Sequence, residues 1–112
     1  MSDADGSCRL TLHVLDVAAG RPAAGMAVVL AGDGDAATTE LVTDGDGRAG
    51  GDGVPLLAPG AHELRYAVGA YFGDTASFYD VVPVRFVVGS DDTHVHLALL
   101  ISPWSYTTYR GS

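Results

Sequence analysis

The chain has 112 residues, 47% of them hydrophobic, with a net charge of −8 and a pI of about 4.5. That describes one domain with a modest core rather than a disordered polymer. Its acidity makes nucleic acid and anionic membranes poor partners, and no apolar run approaches the ~20 residues of a membrane span.

In chain order, the polar, acidic "MSDADGSC" is unlike a secretory or mitochondrial leader, and residues 1–7 are expected to be a flexible segment ahead of a single domain. Together with an ending, "RGS", that is not the Ser-Lys-Leu peroxisomal address, this leads us to expect a cytoplasmic protein. Cys8 is the only cysteine, so neither an internal disulfide nor a cysteine metal cluster is expected. Short apolar stretches punctuated by Gly, Pro and Asp then recur, which is an all-β pattern. Strands are predicted at Cys8–Val17, Met26–Gly32 and Thr38–Thr43, with "AAGRPAAG" as a turn between the first two. The Gly-rich stretch Asp44–Gly53 reads as a loop with room for one very short strand. Ala61–Val68 alternates, with His62, Leu64, Tyr66 and Val68 on one face and Glu63 and Arg65 on the other. Tyr71–Phe78 is the one candidate for a helical turn. Val82–Val88, Thr93–Ile101 and Trp104–Arg110 complete seven or eight strands, enough for a two-sheet sandwich.

"THVHLALLI" places Val95, Leu97, Leu99 and Ile101 on an unbroken apolar face that should be core. His94, His96, Ala98 and Leu100 then face outward, a mixture that suits a pocket wall or a subunit contact as well as surface. In "LTLHVLDV", Leu10, Leu12 and Val14 point inward, and Thr11, His13, Leu15 and Val17 share the other face. "TDGDGR" invites a calcium-loop reading that fails on spacing, because Arg48, Ala49 and Pro55 stand where the loop needs an oxygen ligand, Gly and Glu. A Gly-rich turn that delivers Arg48 fits better, since a guanidinium fork suits carbonyl, carboxylate or other anionic oxygen. There is no Gly-x-Ser-x-Gly elbow, and Cys8 has no activating context. His94-x-His96 with His13 would suit a three-His zinc site with an open position; no metal is assigned.

His13 in "LTLHVLDVAAGRPAAG", Arg48 closing "TDGDGR", His96 in "HVHLALLISPWSY" and the terminal "YRGS" occur in that order. Together, over about Leu10 to Ser112, they resemble the 5-hydroxyisourate hydrolases, the transthyretin-related enzymes of urate breakdown. The ending is the most specific part, since that tetrapeptide separates these enzymes from transthyretin. The resemblance implies an all-β, transthyretin-like sandwich of two four-stranded sheets with one short helix near Tyr71–Ser77. It also implies a homotetramer, a dimer of dimers, with sites at the dimer–dimer interface. This sequence departs from the family at Val95, where Tyr is usual, and at Ala98 and Asp80, where Pro is common.

By the same resemblance, His13, Arg48 and His96 are the catalytic residues, and Tyr109, Arg110, Gly111 and Ser112 bind substrate. The implied reaction opens the lactam ring of 5-hydroxyisourate to 2-oxo-4-hydroxy-4-carboxy-5-ureidoimidazoline, with no cofactor. The histidines would activate water, Arg48 would stabilise developing oxyanion charge, and the Ser112 hydroxyl and carboxylate would orient a histidine or the substrate. Which histidine is the base stays open. The rival from another class is a transthyretin-like carrier that binds a small ligand without catalysis.

Overall fold

The computed structural model describes residues 6–32 and 38–112. Strand β1 (Arg9–Asp16) is followed by β2 (Arg21–Pro22), β3 (Ala27–Gly32), β4 (Thr38–Val42) and β5 (Arg48–Gly50), with a 3-10 turn at Gly51–Gly53. Then come β6 (Gly60–Ala67), helix α1 (Val68–Phe72), β7 (Val81–Val88), β8 (His94–Ile101) and β9 (Tyr106–Gly111). Most of the flexible segment expected at the N-terminus falls outside the described residues; Ser7 and Cys8 both give their N–H to the carbonyl of Leu57.

The strands form two sheets. One runs β4-β3-β6-β7, antiparallel throughout. The other runs β2-β1-β8-β9, and β5 also pairs with β1. Because β8 occupies one side of β1, the short strands β2 and β5 lie end to end along the other, so this sheet is four strands wide at any level. The β1–β8 pairing is parallel and joins the two ends of the chain.

The alternating patterns explain why the sheets pack. Leu10, Leu12 and Val14 of β1 and Val95, Leu97, Leu99 and Ile101 of β8 are all buried, facing Val28, Leu30, Leu64, Tyr66, Val82 and Val84 of the other sheet. Each large apolar side chain taken fully from water in this way contributes roughly 1.5–3 kcal/mol. Val95 is part of this core, so its departure from the family pattern concerns packing.

The helix corrects the sequence expectation. It covers Val68–Phe72, not Tyr71–Phe78, and ends at Gly73, whose φ of 60° lies in the left-handed region that suits glycine. The Tyr71 hydroxyl ties it to the sheet by donating to Oδ2 of Asp16, a carboxylate that also accepts from the Ala19 N–H. The predicted turn "AAGRPAAG" contains β2, and the short strand allowed for in Asp44–Gly53 is β5. The helix, five residues long, is too short to cross a membrane, and no helix among the described residues is long and apolar enough.

Candidate active site

The outer face of the β1–β8 sheet carries the chemistry, and strand register arranges it in rows. Arg48 of β5 pairs with His13 of β1, His13 with Ala98 of β8, and Ala98 with Tyr109 of β9. The neighbouring row is Gly50, Thr11, His96 and Gly111, and beyond it Arg9 pairs with His94. Paired residues share a face, so four segments distant in sequence meet on one surface. Arg9, Thr11, Arg48, His94, His96 and Ser112 line a cleft of about 410 Å³ there. His13 lies one row along, outside that lining.

Arg48 is delivered by a locally determined turn. Oδ1 of Asp44 accepts the backbone N–H groups of Asp46 and Arg48, and the Asp44 carbonyl accepts that of Gly47. Gly47 has a φ of 75°, and a Cβ there would collide with the Val14 carbonyl, so both backbone conformation and close approach require glycine. The Arg48 N–H, followed by that of Asp46, holds the Asp44 carboxyl below its ordinary range, so the turn is fastened by a charged acceptor.

The imidazoles are held through specific nitrogens. Nε2 of His13 donates to the Asp46 carbonyl at 3.0 Å; since a carbonyl only accepts, the proton resides on Nε2, and Nδ1 has no hydrogen-bond partner among the described residues. Oγ1 of Thr11 stands 2.8 Å from Nδ1 of His96 and 2.8 Å from Nε2 of His94. Nε2 of His96 has no hydrogen-bond partner among the described residues. Burial, then the nearby Arg48 and the other two imidazoles, lowers the His96 pKa from its ordinary value of 6.5. His96 is therefore the neutral form at neutral pH, with a lone pair to offer. Among the described residues, no group of three or more His, Cys, Asp or Glu could hold a metal ion.

The four terminal residues divide by strand alternation. Tyr109 and Gly111 share the histidine face, while Arg110 pairs with Leu97 on the opposite face. Nη2 of Arg110 bonds Asp92 at 3.1 Å and the His94 carbonyl at 3.2 Å, which pins the end of β9 against β8. Gly111 packs against the His96 ring, and Ser112 reaches the cleft. Ala98 is buried within its row between His13 and Tyr109. Sequence reasoning did not single out Arg9, Thr11 or Asp44 as site residues. The signal for the first two was the alternation of β1, which puts both on the His13 face. A second cleft, of about 540 Å³ around Asp16, Arg21 and Tyr71, brings no histidines together. Cys8 is buried, and burial raises its thiol pKa, away from nucleophile chemistry.

Fold and cleft together define a small two-sheet β-sandwich with an imidazole- and guanidinium-lined polar site on one outer face. Residues 10–111 match the profile of the HIUase/transthyretin family. The 5-hydroxyisourate hydrolase of Deinococcus radiodurans is 47% identical, with 92% of this chain and 95% of that protein covered. The structure of the Klebsiella pneumoniae 5-hydroxyisourate hydrolase superposes with a TM-score of 0.80 at 33% identity, covering 96% of each chain. Sea bream transthyretin in complex with thyroxine superposes with a TM-score of 0.78 at 28% identity, covering 91% of this chain and 93% of that one. The chain belongs to the HIUase/transthyretin family.

Proposed function

We propose that this protein is an enzyme that hydrolyses the lactam of 5-hydroxyisourate in urate breakdown. The observation that carries the reading is the cleft on the outer sheet face, where His96, held neutral with a free Nε2, stands in the same lining as Arg48. The 5-hydroxyisourate hydrolases of similar sequence support it.

In this reading Nε2 of His96 takes a proton from water as the oxygen adds to the ring carbonyl. Arg48 donates to the substrate and to the oxyanion that forms. The carbonyl–nitrogen bond then breaks, the proton passes from the imidazolium to the departing ring nitrogen, and the product carries a new carboxylate. His13, fixed through Nε2, offers Nδ1 as a second proton-exchanging group beside Arg48. Tyr109, Gly111 and Ser112 form the β9 side of the site, and Arg110 keeps that strand end in place. General base catalysis contributes on the order of 10²–10⁴-fold, and no step calls for a metal or organic cofactor.

The working form is a homotetramer, a dimer of dimers, whose facing histidine surfaces close the clefts. What supports this is apolar surface: Tyr109 is 53% exposed on the histidine face, and Val81 and Val87 are 51% and 72% exposed on the edge strand β7. A cytoplasmic site suits the free, buried Cys8 thiol, which belongs with reducing surroundings. The test is the disappearance of freshly generated 5-hydroxyisourate, followed by absorbance with the purified chain present. Decay no faster than the spontaneous rate would leave a small-ligand carrier in its place.

A further inference from the structure

A hydroxyl carries one hydrogen. Thr11 Oγ1 sits 2.8 Å from two ring nitrogens at once, Nε2 of the exposed His94 and Nδ1 of the partly buried His96. With its own hydrogen placed between the rings it donates to one and accepts from the other, in two ways; a third arrangement, in which both rings donate to its two lone pairs, gives up the hydrogen bond from the hydroxyl to a ring. In the first, His96 Nδ1–H donates to Thr11 and Thr11 donates to a bare His94 Nε2; the neutral His96 then has its lone pair on Nε2. In the second, His94 Nε2–H donates to Thr11 and Thr11 donates to His96 Nδ1; the neutral His96 then carries its proton on Nε2 and has no lone pair there.

We infer that Thr11 is a positioning residue: its hydroxyl couples the proton on His94 to the tautomer of His96, so that a bare His94 Nε2 favours a bare His96 Nε2 in the cleft and a protonated one disfavours it. This rests on the reading of His96 as the base. Protonation of His94 puts a hydrogen on both ring nitrogens, which excludes the first arrangement and favours the second, the one that keeps the hydroxyl hydrogen bonded to a ring. The outer imidazole senses the solvent, and the threonine carries its state to the inner one. No atom other than a hydrogen moves far.

The surrounding charges form a steady background. His94 has Arg9 on the paired strand, and Arg110 with Asp92 at its own backbone. His96 has Arg48, His13, Arg9, Asp44 and Ser112 around the same cleft or row. Asp44 and Asp92 are held ionised by backbone N–H groups, with Arg48 adding to the first and Arg110 to the second. Only imidazoles exchange protons near neutrality, and His13 already has its tautomer fixed by the Asp46 carbonyl. It is a built-in reference.

The experiment is nitrogen NMR of the full chain with isotope-labelled histidine, titrated across neutral pH. In the native protein the His96 Nε2 signal should pass from bare to protonated in step with the protonation of His94. In Thr11→Val, which keeps the shape and removes the hydroxyl, His96 should no longer track His94, and Thr11→Ser should restore the coupling. Turnover should fall about tenfold in Thr11→Val with KM little changed, the scale of one lost hydrogen bond, and recover in Thr11→Ser. A His96 signal that ignores His94 in the native protein, or still follows it in Thr11→Val, overturns the relay. If the valine variant does not fold, His94→Ala decides: His96 should keep a bare Nε2 until it is itself protonated, and a tautomer change before that point refutes the coupling. The spectra are independent of turnover. A normal relay in a protein without hydrolase activity would count against the functional reading alone.

Discussion

A Cβ added at Gly111 would stand 2.6 Å from Cδ2 of His96, so the backbone of β9 is in direct packing contact with the cleft imidazole. Real Cβ atoms do not approach so closely, and the atoms on the other side are a ring that the site needs in place. Gly111→Ala should therefore push the ring rather than the strand. A displacement of ~1 Å can cost about a hundredfold in rate, whereas overpacking costs roughly 1–3 kcal/mol of stability. We expect turnover to fall by about two orders of magnitude while circular dichroism stays native. Unchanged turnover would show that His96 need not be held where it is.

Replacing His13, Arg48 or His96 with alanine should each cut turnover by about 10²–10⁴-fold without unfolding, since none contributes to the apolar core. His94→Ala shares the same face and should lose less at neutral pH, because the Thr11 hydroxyl remains to accept from His96. Steady-state rates on the four variants, with thermal unfolding as the control, check this. A native rate in any of the first three removes that residue from the site.

The pH dependence has a definite sign. His96 has a folded-state pKa below 6.5, with burial as the first cause and Arg48 as the second. The unfolded chain therefore binds more protons at this residue, so its contribution to stability is present above the unfolded value and is lost as pH falls toward the folded one. The neutral form of His96 persists into mildly acid solution, and in His94→Ala, where no neighbouring imidazole biases its tautomer, the acid limb of kcat/KM should lie below the ordinary histidine range. Arg48→Ala should raise the His96 titration midpoint, and Arg48→Lys should raise it less. The ring proton shifts of His96 read this directly, and a midpoint that falls in Arg48→Ala contradicts the assignment.

The strands are legible because β1, β6 and β8 alternate, and on β1 and β8 that alternation turns the histidines away from the core. The helix lies three residues earlier than expected, at Val68–Phe72, because Gly73 ends it. What the pattern could not supply was register across strands. That Arg48 pairs with His13 depends on a three-residue strand inside a Gly-rich loop, too short for any periodicity. That Thr11 bridges two imidazoles depends on a parallel pairing between the two ends of the chain. Arg110 shows the same limit, because one step along β9 puts it on the face opposite the histidines.

Ser112 lines the cleft, so residues attached after it would be driven into the space the substrate needs. A C-terminal tag should nearly abolish hydrolysis, and deleting Arg110–Ser112 should do the same by releasing the hold on Asp92 and the contact with His96. A tag ahead of Ser7 should be harmless. Full activity with a C-terminal tag would return the end of β9 to the role of a plain edge strand.

The most direct measurement is the optical activity of the product as native protein, His96→Ala and Arg48→Ala each act on freshly generated 5-hydroxyisourate. Spontaneous hydrolysis in water does not distinguish the two hands of the substrate, whereas a ring held by Arg48 beside His96 is opened in one hand only. The account predicts rapid decay with a strong circular dichroism signal from the native protein, and slow decay with little signal from both variants. Decay at the spontaneous rate with a racemic product from the native protein would contradict it.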